Sequence, residues 1–341
     1  MMLTLVWAGL IAFAVLAYVL LDGFDLGVGI LFAVERREAD RDVMLSSIAP
    51  MWDGNETWLV LGGGGLLAVF PLAYAVILPA LYPAIIAMLL ALVFRGVSFE
   101  FRFRAASLRG RLWWDAAFMV GSTIAAFCQG LVLGGLLQGI HVENRVYAGG
   151  WWDWLTGFSV VCGVAVVVGY ALQGACWLIW RTDAALQFRC RRHARALAIA
   201  TLGFIVVVSL WTPMLNPLFM QRWFGWPGIL LTSPVPILVA LVGWVFWRGL
   251  AWRGHLTPLL CVQAWFALCY AGLAISLWPM IVPPGRGTGQ PGITIWDAAA
   301  PPSSQMFLLV GAVVLIPIIL GYTCYAYWVF RGKVQPGMFY D

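Results

Sequence analysis

Four carboxylic acids near the N-terminus are the residues of this sequence best placed to do chemistry. Asp22 and Asp25 lie near the end of a long apolar run, and Asp53 and Glu56 lie at the start of the next one. Side chains three residues apart on a helix share a face, so each pair should point in one direction. An acid within a bilayer costs about 2.5 to 3.5 kcal/mol on insertion scales and marks a functional site by default. These acids therefore predict proton handling, because an apolar setting lets a carboxyl group load and release protons.

Each acid also has a structural explanation. Asp53, followed three residues later by Glu56, is typical of a helix start in which Asp53 is the N-cap and Glu56 completes a capping box. Asp22 is equally well explained by a hydrogen bond to a neighbouring helix. Capping or helix packing therefore stays open for each acid. The candidates for a proton path are Asp25, Asp53 and Glu56.

The composition indicates an integral membrane protein. Of 341 residues, 62% are hydrophobic and 10% are charged, and the mean hydropathy is +0.90, which no soluble globular class matches. The net charge of +5 comes from basic residues that flank apolar runs. This distribution is typical of residues that orient a membrane protein and not of a nucleic-acid-binding surface. The seven cysteines lie singly, without a C-x-x-C pair, so we expect reduced packing residues.

Apolar runs separated by polar loops predict an all-α, polytopic membrane protein with about nine transmembrane helices. Residues 1–341 form a single integral membrane domain, in which two four-helix groups and one peripheral helix are expected. No basic residue precedes the first run, so we expect that helix to be retained and not cleaved as a signal peptide. The predicted spans are 3–33, 50–70, 76–95, 113–139, 155–180, 196–213, 234–250, 256–282 and 305–330.

The distribution of basic residues predicts the orientation of these spans. The loops after spans one, three, five, seven and nine, counted with the basic residues at the ends of the adjoining spans, hold 17 Arg and Lys, and the other loops hold 3. Cytoplasmic loops carry the excess of Arg and Lys, which puts the N-terminus outside, the C-terminus inside and the four acids towards the cytoplasm. Two charged segments, Glu35 to Asp42 and Arg95 to Arg111, are expected to be solvated cytoplasmic loops.

The histidines argue against a haem bound by this chain. His141 falls in an outer loop, and His193 and His255 fall in cytoplasmic loops. Buried haem usually needs an axial His, and no predicted span offers one at its middle. We therefore expect neither a haem nor a metal site in this chain.

Several motifs give the chain a resemblance to a known family. They are Asp22-Gly-Phe-Asp-Leu-Gly-Val-Gly29, Ser47-Ile-Ala-Pro-Met-Trp-Asp-Gly-Asn55 followed by Trp58, the Phe94-Arg95…Phe99 stretch and Thr294-Ile-Trp-Asp297. With them, the chain resembles subunit II of the cytochrome bd-type terminal quinol oxidases. The Asn-Glu-Thr-Trp sequence and the residues after Asp297 look closer to the cyanide-insensitive branch of that family.

The resemblance implies a membrane complex in the bacterial cytoplasmic (inner) membrane. In that family the partner, subunit I, carries two b-type haems and haem d and oxidises quinol, while subunit II carries no haem. The complex reduces dioxygen to water with protons drawn from the cytoplasm. Other expected partners are membrane lipids, and nucleic acid is not one. The quinone type, cyanide sensitivity, a small single-helix third subunit, the oxygen route and a structural quinone or lipid in this subunit stay open.

The resemblance also implies roles for individual residues. Asp53 matches the carboxylate of the family's proton path towards haem d, and Asp25 matches the second Asp of the first motif. Trp58 matches a residue near the mouth of a lateral oxygen route, and we group Trp52 with it as an oxygen-route or interface residue. Glu56 stands where family members carry Gln. The remaining motif residues, expected to be structural, are Asp22, Gly23, Gly54, Asn55, Trp296 and Asp297, the last of which would cap a helix or pair at an interface.

Two functions from other classes compete with this interpretation. An ion-coupled secondary transporter would also use intramembrane carboxylates, together with inverted repeats and broken helices. A purely structural membrane partner would use all four acids as caps. A haem spectrum that accompanies only a second, His-containing chain would favour the oxidase.

Overall fold

The computed structural model describes residues 1–252, 254–285 and 291–334, and most of these residues are helical. The first half contains α1 (Met2–Leu31), α2 (Glu38–Ile48), α3 (Trp52–Val69), α4 (Pro71–Arg104), α5 (Leu108–Leu137), β1 (Val142–Glu143) and β2 (Val146–Tyr147). The second half contains α6 (Gly157–Arg181), α7 (Ala184–Leu215), α8 (Pro217–Phe224), α9 (Gly228–Thr232), α10 (Pro234–Ala251), α11 (Thr257–Leu277), β3 (Met280–Val282), β4 (Ile293–Thr294), α12 (Ile295–Ala298) and α13 (Pro302–Val329).

Helix α1 lies at the centre of the fold, in contact with α3, α5 and α6. Gly23 and Gly27 are four residues apart and share one face of α1, where they permit a close helix crossing. A methyl group on Gly27 would overlap the backbone of Tyr170, and one on Gly174 would overlap the backbone of Gly27. The backbones of α1 and α6 therefore touch beside the acidic motif, which fixes its position.

The two ends of the molecule are built differently. At one end, β1 pairs with β2 and β3 pairs with β4, both antiparallel. At that end the Trp7 indole donates to the Gln305 carbonyl at 3.0 Å, and the Ala300 amide donates to the Val69 carbonyl at 2.7 Å. These bonds tie α1, α3 and α13 together. The other end carries α2 and a set of buried ion pairs.

Segments predicted as solvated loops are partly helical and buried, which corrects the prediction. The Glu35 to Asp42 segment runs into α2, and α4 continues nine residues beyond Arg95, its predicted end, to Arg104. Arg102 is buried and pairs with Asp115 and, at 2.5 Å, with Asp42. Because these charges are compensated by ion pairs within the protein, the helices continue through the charged segments.

The start of α7 is also predicted as a loop, because it is rich in basic residues. His193 is predicted in a loop, but α7 begins at Ala184 and includes it together with Cys190. The His193 ring lies 3.5 Å from the Glu35 carboxylate, which Arg189 contacts at 2.9 Å. All seven cysteines are free, and Cys190 is buried.

Eight helices in the described part of the chain are long and apolar enough to cross a membrane. They correspond to every predicted span except the second. That span coincides with α3, whose 18 residues begin with a polar stretch containing Asp53, Asn55 and Glu56 that lowers its mean hydropathy. Helix α13 is the least covered of the eight: 6% of its most apolar stretch is buried, compared with 61% in α6. A large part of its surface is therefore left for lipid or another protein.

Candidate functional site

The acidic motif surrounds a buried arginine that the sequence analysis placed at the edge of a loop. Arg95 of α4 is fully buried, and its guanidinium lies 2.9 Å from the carboxylate of Asp22, which is also fully buried. Glu56 approaches the same guanidinium at 3.6 Å and keeps 26% of its side chain exposed. One cation therefore holds two carboxylates from α1 and α3, and only one of them reaches the surface.

Asp25 occupies a separate place beside this ion pair. It is fully buried, and its carboxylate accepts a hydrogen bond of 2.7 Å from the Asn55 amide. Asn55 also donates to the Leu21 carbonyl at 3.3 Å and accepts from the Tyr327 hydroxyl at 3.2 Å. Asn55 thus joins α1, α3 and α13 at the carboxylate, which explains why an amide stands at this motif position.

Asp53 differs from the other acids because its side chain is exposed on the surface of the isolated chain. Helix α3 has Met51 as its N-cap, and no side chain caps it. The capping box considered for Asp53 and Glu56 is therefore wrong: Glu56 bends towards Arg95, whereas Asp53 faces outward. Asp53 and Glu56 lie close enough together for the negative charge of Asp53 to act on Glu56.

Two tyrosines and a glutamine form a polar chain that no motif in the sequence indicates. The Tyr170 hydroxyl donates to Gln129 Oε1 at 2.7 Å, and Gln129 Nε2 donates to the Tyr18 hydroxyl at 2.7 Å. Tyr18 lies one helical turn before Asp22 on α1. The signal available in the sequence was a single Gln in the middle of the apolar run of α5.

The predicted tryptophans lie on two sides of the cluster. Trp52 stacks on Phe99 with ring centroids 5.3 Å apart, and the Arg95 guanidinium lies 5.9 Å from its ring. Trp58 is buried and meets Phe13 edge-on at 5.6 Å. Trp52 therefore helps to enclose the Arg95 ion pair.

Two motif glycines allow close packing around the acids. The Gly23 backbone lies against the side chains of Gln173 and Tyr170, and an added methyl group would be 2.8 Å from the Tyr170 ring. Gly54 faces Tyr322, where an added methyl group would be 3.3 Å from the ring. Both positions favour residues without a side chain.

Trp296 and Asp297 are not brought to the acidic cluster. They lie in α12, at the end of the molecule where Trp7 contacts Gln305. The fifteen helical steps of α1 from Trp7 to Asp22 correspond to roughly 22 Å along the helix. Asp297 forms a capping box with Thr294, with a hydrogen bond of 2.6 Å between their side chains. These hydrogen bonds lower the pKa of Asp297 below its usual value.

The three histidines of this chain lie between helices or towards the end of one. His141 follows α5 and lies 3.2 Å from Glu143, His193 faces Glu35, and His255 lies 3.1 Å from Gln187. Within residues 1–252, 254–285 and 291–334, no three metal-ligating side chains are grouped for a metal ion.

Comparisons with known proteins agree with this architecture. The family model described as cytochrome bd terminal oxidase subunit II matches residues 3–330. The chain is 30% identical to cytochrome bd-I ubiquinol oxidase subunit 2 of Escherichia coli K12, with 97% of this chain and 95% of that protein covered. It is 29% identical to cytochrome bd ubiquinol oxidase subunit 2 of Bacillus subtilis, with 96% of each covered.

A solved structure shows the same fold. A chain of the bd oxidase from Geobacillus thermodenitrificans superposes with a TM-score of 0.74 at 16% identity, and the alignment covers 97% of this chain and 100% of that one. The family match extends over nearly the whole sequence. The chain therefore belongs to the cytochrome bd terminal oxidase subunit II family.

Proposed function

We propose that this chain is the haem-free subunit of a quinol:dioxygen oxidoreductase and that its acids complete a proton path from the cytoplasm. The observation that carries the proposal is the buried cluster formed by Asp22, Asp25, Glu56 and Arg95. Charged groups within a membrane are expensive and mark ion or proton pathways. When bound to subunit I, haem would supply the reduction of dioxygen to water, and that reaction consumes protons.

The acids offer a sequence of sites of increasing burial. Asp53 is exposed, Glu56 is partly exposed, and Asp25 is fully buried. Asn55 is the residue before Glu56 and fixes the Asp25 carboxylate by a 2.7 Å hydrogen bond. It would therefore connect the two acids. A proton entering at Asp53 would pass to Glu56 and be delivered towards the neighbouring subunit.

The orientation follows from charge. We propose nine spans, with α3 as the ninth member of the set, the N-terminus outside and the C-terminus inside. The excess of Arg and Lys at one set of loops supports this orientation, and it puts the ion pairs of α2 and the acid cluster towards the cytoplasm of a bacterial cell.

The exposed face of α3 is the proposed contact with haem-bearing subunit I. Asp53, Thr57, Val60, Gly64 and Leu67 are exposed at helical spacing along α3. A carboxylate facing hydrocarbon is unfavourable, whereas a partner helix that donates a hydrogen bond to Asp53 would satisfy it. Gly64 leaves that face flat enough for close approach.

The tryptophans and lipids have smaller proposed roles. Trp58 is proposed to border an oxygen route, and Trp52 to close the Arg95 cluster against the partner. The exposed surface of α13 would be covered by lipid, and a small single-helix subunit or a structural quinone would be accommodated there.

The test uses variants of the purified complex. Asp53→Asn and Glu56→Gln should each slow quinol-dependent oxygen consumption at least about tenfold, as expected when a positioned acid–base group is lost, while the haem spectrum is retained. Glu100→Gln, at an exposed carboxylate of α4 that pairs with Arg104 at 3.8 Å, is the matched control and should leave the rate near wild type. Unchanged oxygen consumption in both acid variants would favour a purely structural role for this chain.

A further inference from the structure

We propose that the outward face of α10 binds one anionic phospholipid, whose phosphate is held by Arg248 beside two tryptophan rings. The face consists of Ile237, Leu241, Trp244, Arg248 and Trp252, and we call it the α10 lipid face. The inference goes beyond the proposed proton path, because none of these residues belongs to the acid cluster and the ligand is a membrane lipid.

The five residues lie on one side of the helix. Successive members are three or four residues apart, which is the spacing of neighbours on a helical face. Ile237, Leu241, Trp244 and Trp252 are 65%, 53%, 57% and 73% exposed, and Arg248 is exposed as well. The opposite side of α10 packs into the core that it shares with α6, α7 and α11. The α10 lipid face therefore points away from the protein interior.

The chemical character of this face changes along the helix in the same order as in a phospholipid. Ile237 and Leu241 are aliphatic, Trp244 is of the type that lies at the membrane–water interface, and Arg248 is the single charged residue of α10. The eleven helical steps from Ile237 to Arg248 correspond to roughly 16 Å, which is close to half of a hydrocarbon core about 30 Å thick. An acyl chain that lies along the aliphatic residues would thus bring its phosphate level with Arg248.

The Arg248 guanidinium is held by aromatic rings and not by a carboxylate. Its central carbon lies 4.7 Å from the centre of the Trp244 ring and 4.4 Å from that of the Trp252 ring, which is within the range of a cation–π contact. Among residues 1–252, 254–285 and 291–334 it has no hydrogen-bond acceptor and no acidic partner. Because stacking occupies the faces of this planar group, its N–H groups are left for an acceptor. A phosphate fits them, since guanidinium groups bind phosphate oxygens in pairs.

Charge favours an anionic lipid over a zwitterionic one. Helix α10 contains no Asp or Glu, so nothing on this helix offsets the charge of Arg248. Arg191 of α7 donates to the Gly254 carbonyl at 3.0 Å, which brings the basic start of α7 to the same end of the molecule. One arginine near a membrane surface corresponds to roughly a fivefold gain in affinity for anionic lipid.

The experiment identifies the lipid that touches the α10 lipid face. The photoreactive residue p-benzoylphenylalanine replaces the exposed Leu241 in the oxidase complex, which is reconstituted in nanodiscs of phosphatidylglycerol and phosphatidylcholine at about one part to three and then irradiated. The masses of the crosslinked peptides give the ratio of the two lipids at the face. We expect phosphatidylglycerol to be enriched about fivefold over its share of the bilayer, and Arg248→Gln to return the ratio to that of the bilayer.

Matched controls separate this site from general surface charge. Arg192 of α7 is also exposed and stacks on no ring in the described part of the chain, so Arg192→Gln should keep the enrichment. Trp252→Leu keeps the charge of Arg248 but removes one ring, and it should lower the enrichment about twofold. Trp113 is 77% exposed, and no arginine of the described residues stacks on it. Trp113→Leu should therefore leave the enrichment unchanged.

Several results would overturn the proposal. One is a lipid ratio at the face equal to that of the bilayer, and another is an equal loss of enrichment in Arg248→Gln and Arg192→Gln. Crosslinks to a peptide of another subunit would show that the face is a protein interface. If inorganic phosphate at constant ionic strength abolishes the enrichment, Arg248 takes free phosphate and the lipid assignment is wrong; unchanged enrichment supports it. Oxygen consumption is measured separately, so a negative lipid result leaves the proton path untouched.

Discussion

Removal of the Arg95 side chain is the most direct test of how the acid cluster is held together. In Arg95→Leu the Asp22 carboxylate stays fully buried, and its partner at 2.9 Å is lost. Breaking a buried ion pair from one side costs about 3 to 5 kcal/mol, because a charge without compensation remains in an apolar site. Arg95 also lies 5.9 Å from the Trp52 ring, so some packing is lost with the charge.

The double variant separates charge from packing. Arg95→Leu/Asp22→Asn removes both charges, and replacing a whole buried pair with neutral groups is often close to neutral for stability. We therefore expect the double variant to recover more than half of the stability lost in Arg95→Leu. The measurement is the midpoint of thermal aggregation of the detergent-purified complex, followed by size-exclusion fluorescence.

An exposed ion pair on the same helix supplies the control. Arg104 pairs with Glu100 at 3.8 Å, and their side chains are 76% and 54% exposed. Exposed pairs contribute about 0 to 1 kcal/mol, so Arg104→Leu should leave the midpoint nearly unchanged. The reasoning is refuted if Arg95→Leu is as stable as Arg104→Leu, or if the double variant is no more stable than Arg95→Leu.

Two further predictions concern packing and capping. Gly27→Val should abolish assembly of the complex, because the side chain would overlap the Tyr170 backbone. Gly203→Val, at a glycine of α7 with open space around it, should assemble normally, and equal yields of the two variants from membranes would contradict the role of the α1–α6 crossing. Asp297→Ala should lower the thermal midpoint at neutral pH, because it removes the bond that the Asp297 side chain accepts from the backbone N–H of the N-cap residue Thr294. Capping bonds are typically worth about 1 kcal/mol. Because the folded pKa of Asp297 is lowered, its contribution is present above its usual pKa and lost as the pH falls through the lowered value, so the variant and wild type should converge in acid; a difference that persists there would contradict this.

The sequence was sufficient to predict the family, the helical class and the positions of the acids near helix ends, because these depend on local composition and on motifs. It was insufficient to predict that Arg95 and Arg102 are buried in ion pairs, since an arginine near the end of an apolar run is normally solvated. Their carboxylate partners, Asp22 and Asp115, are 73 and 13 residues away in the sequence, and only the packed structure brings them together.

Polar residues inside apolar helices were the second source of error. Gln129 gave no recognisable pattern, because its partners Tyr18 and Tyr170 lie on two other helices. The Thr294–Asp297 cap, in contrast, was predictable, because a capping box is a local spacing of residues. Long-range polar pairing is thus the part of this site that single-sequence reasoning could not supply.

The separation between Asp22 and Arg95 has a consequence for biogenesis. At about 5 to 20 residues per second of synthesis, Arg95 leaves the ribosome roughly 4 to 15 s after Asp22. Throughout that delay the first helix has no cation for its buried carboxylate, so the nascent helix is expected to remain at the insertion machinery, or with Asp22 protonated, until α4 arrives. Completion of the ion pair would then release both helices together into the lipid.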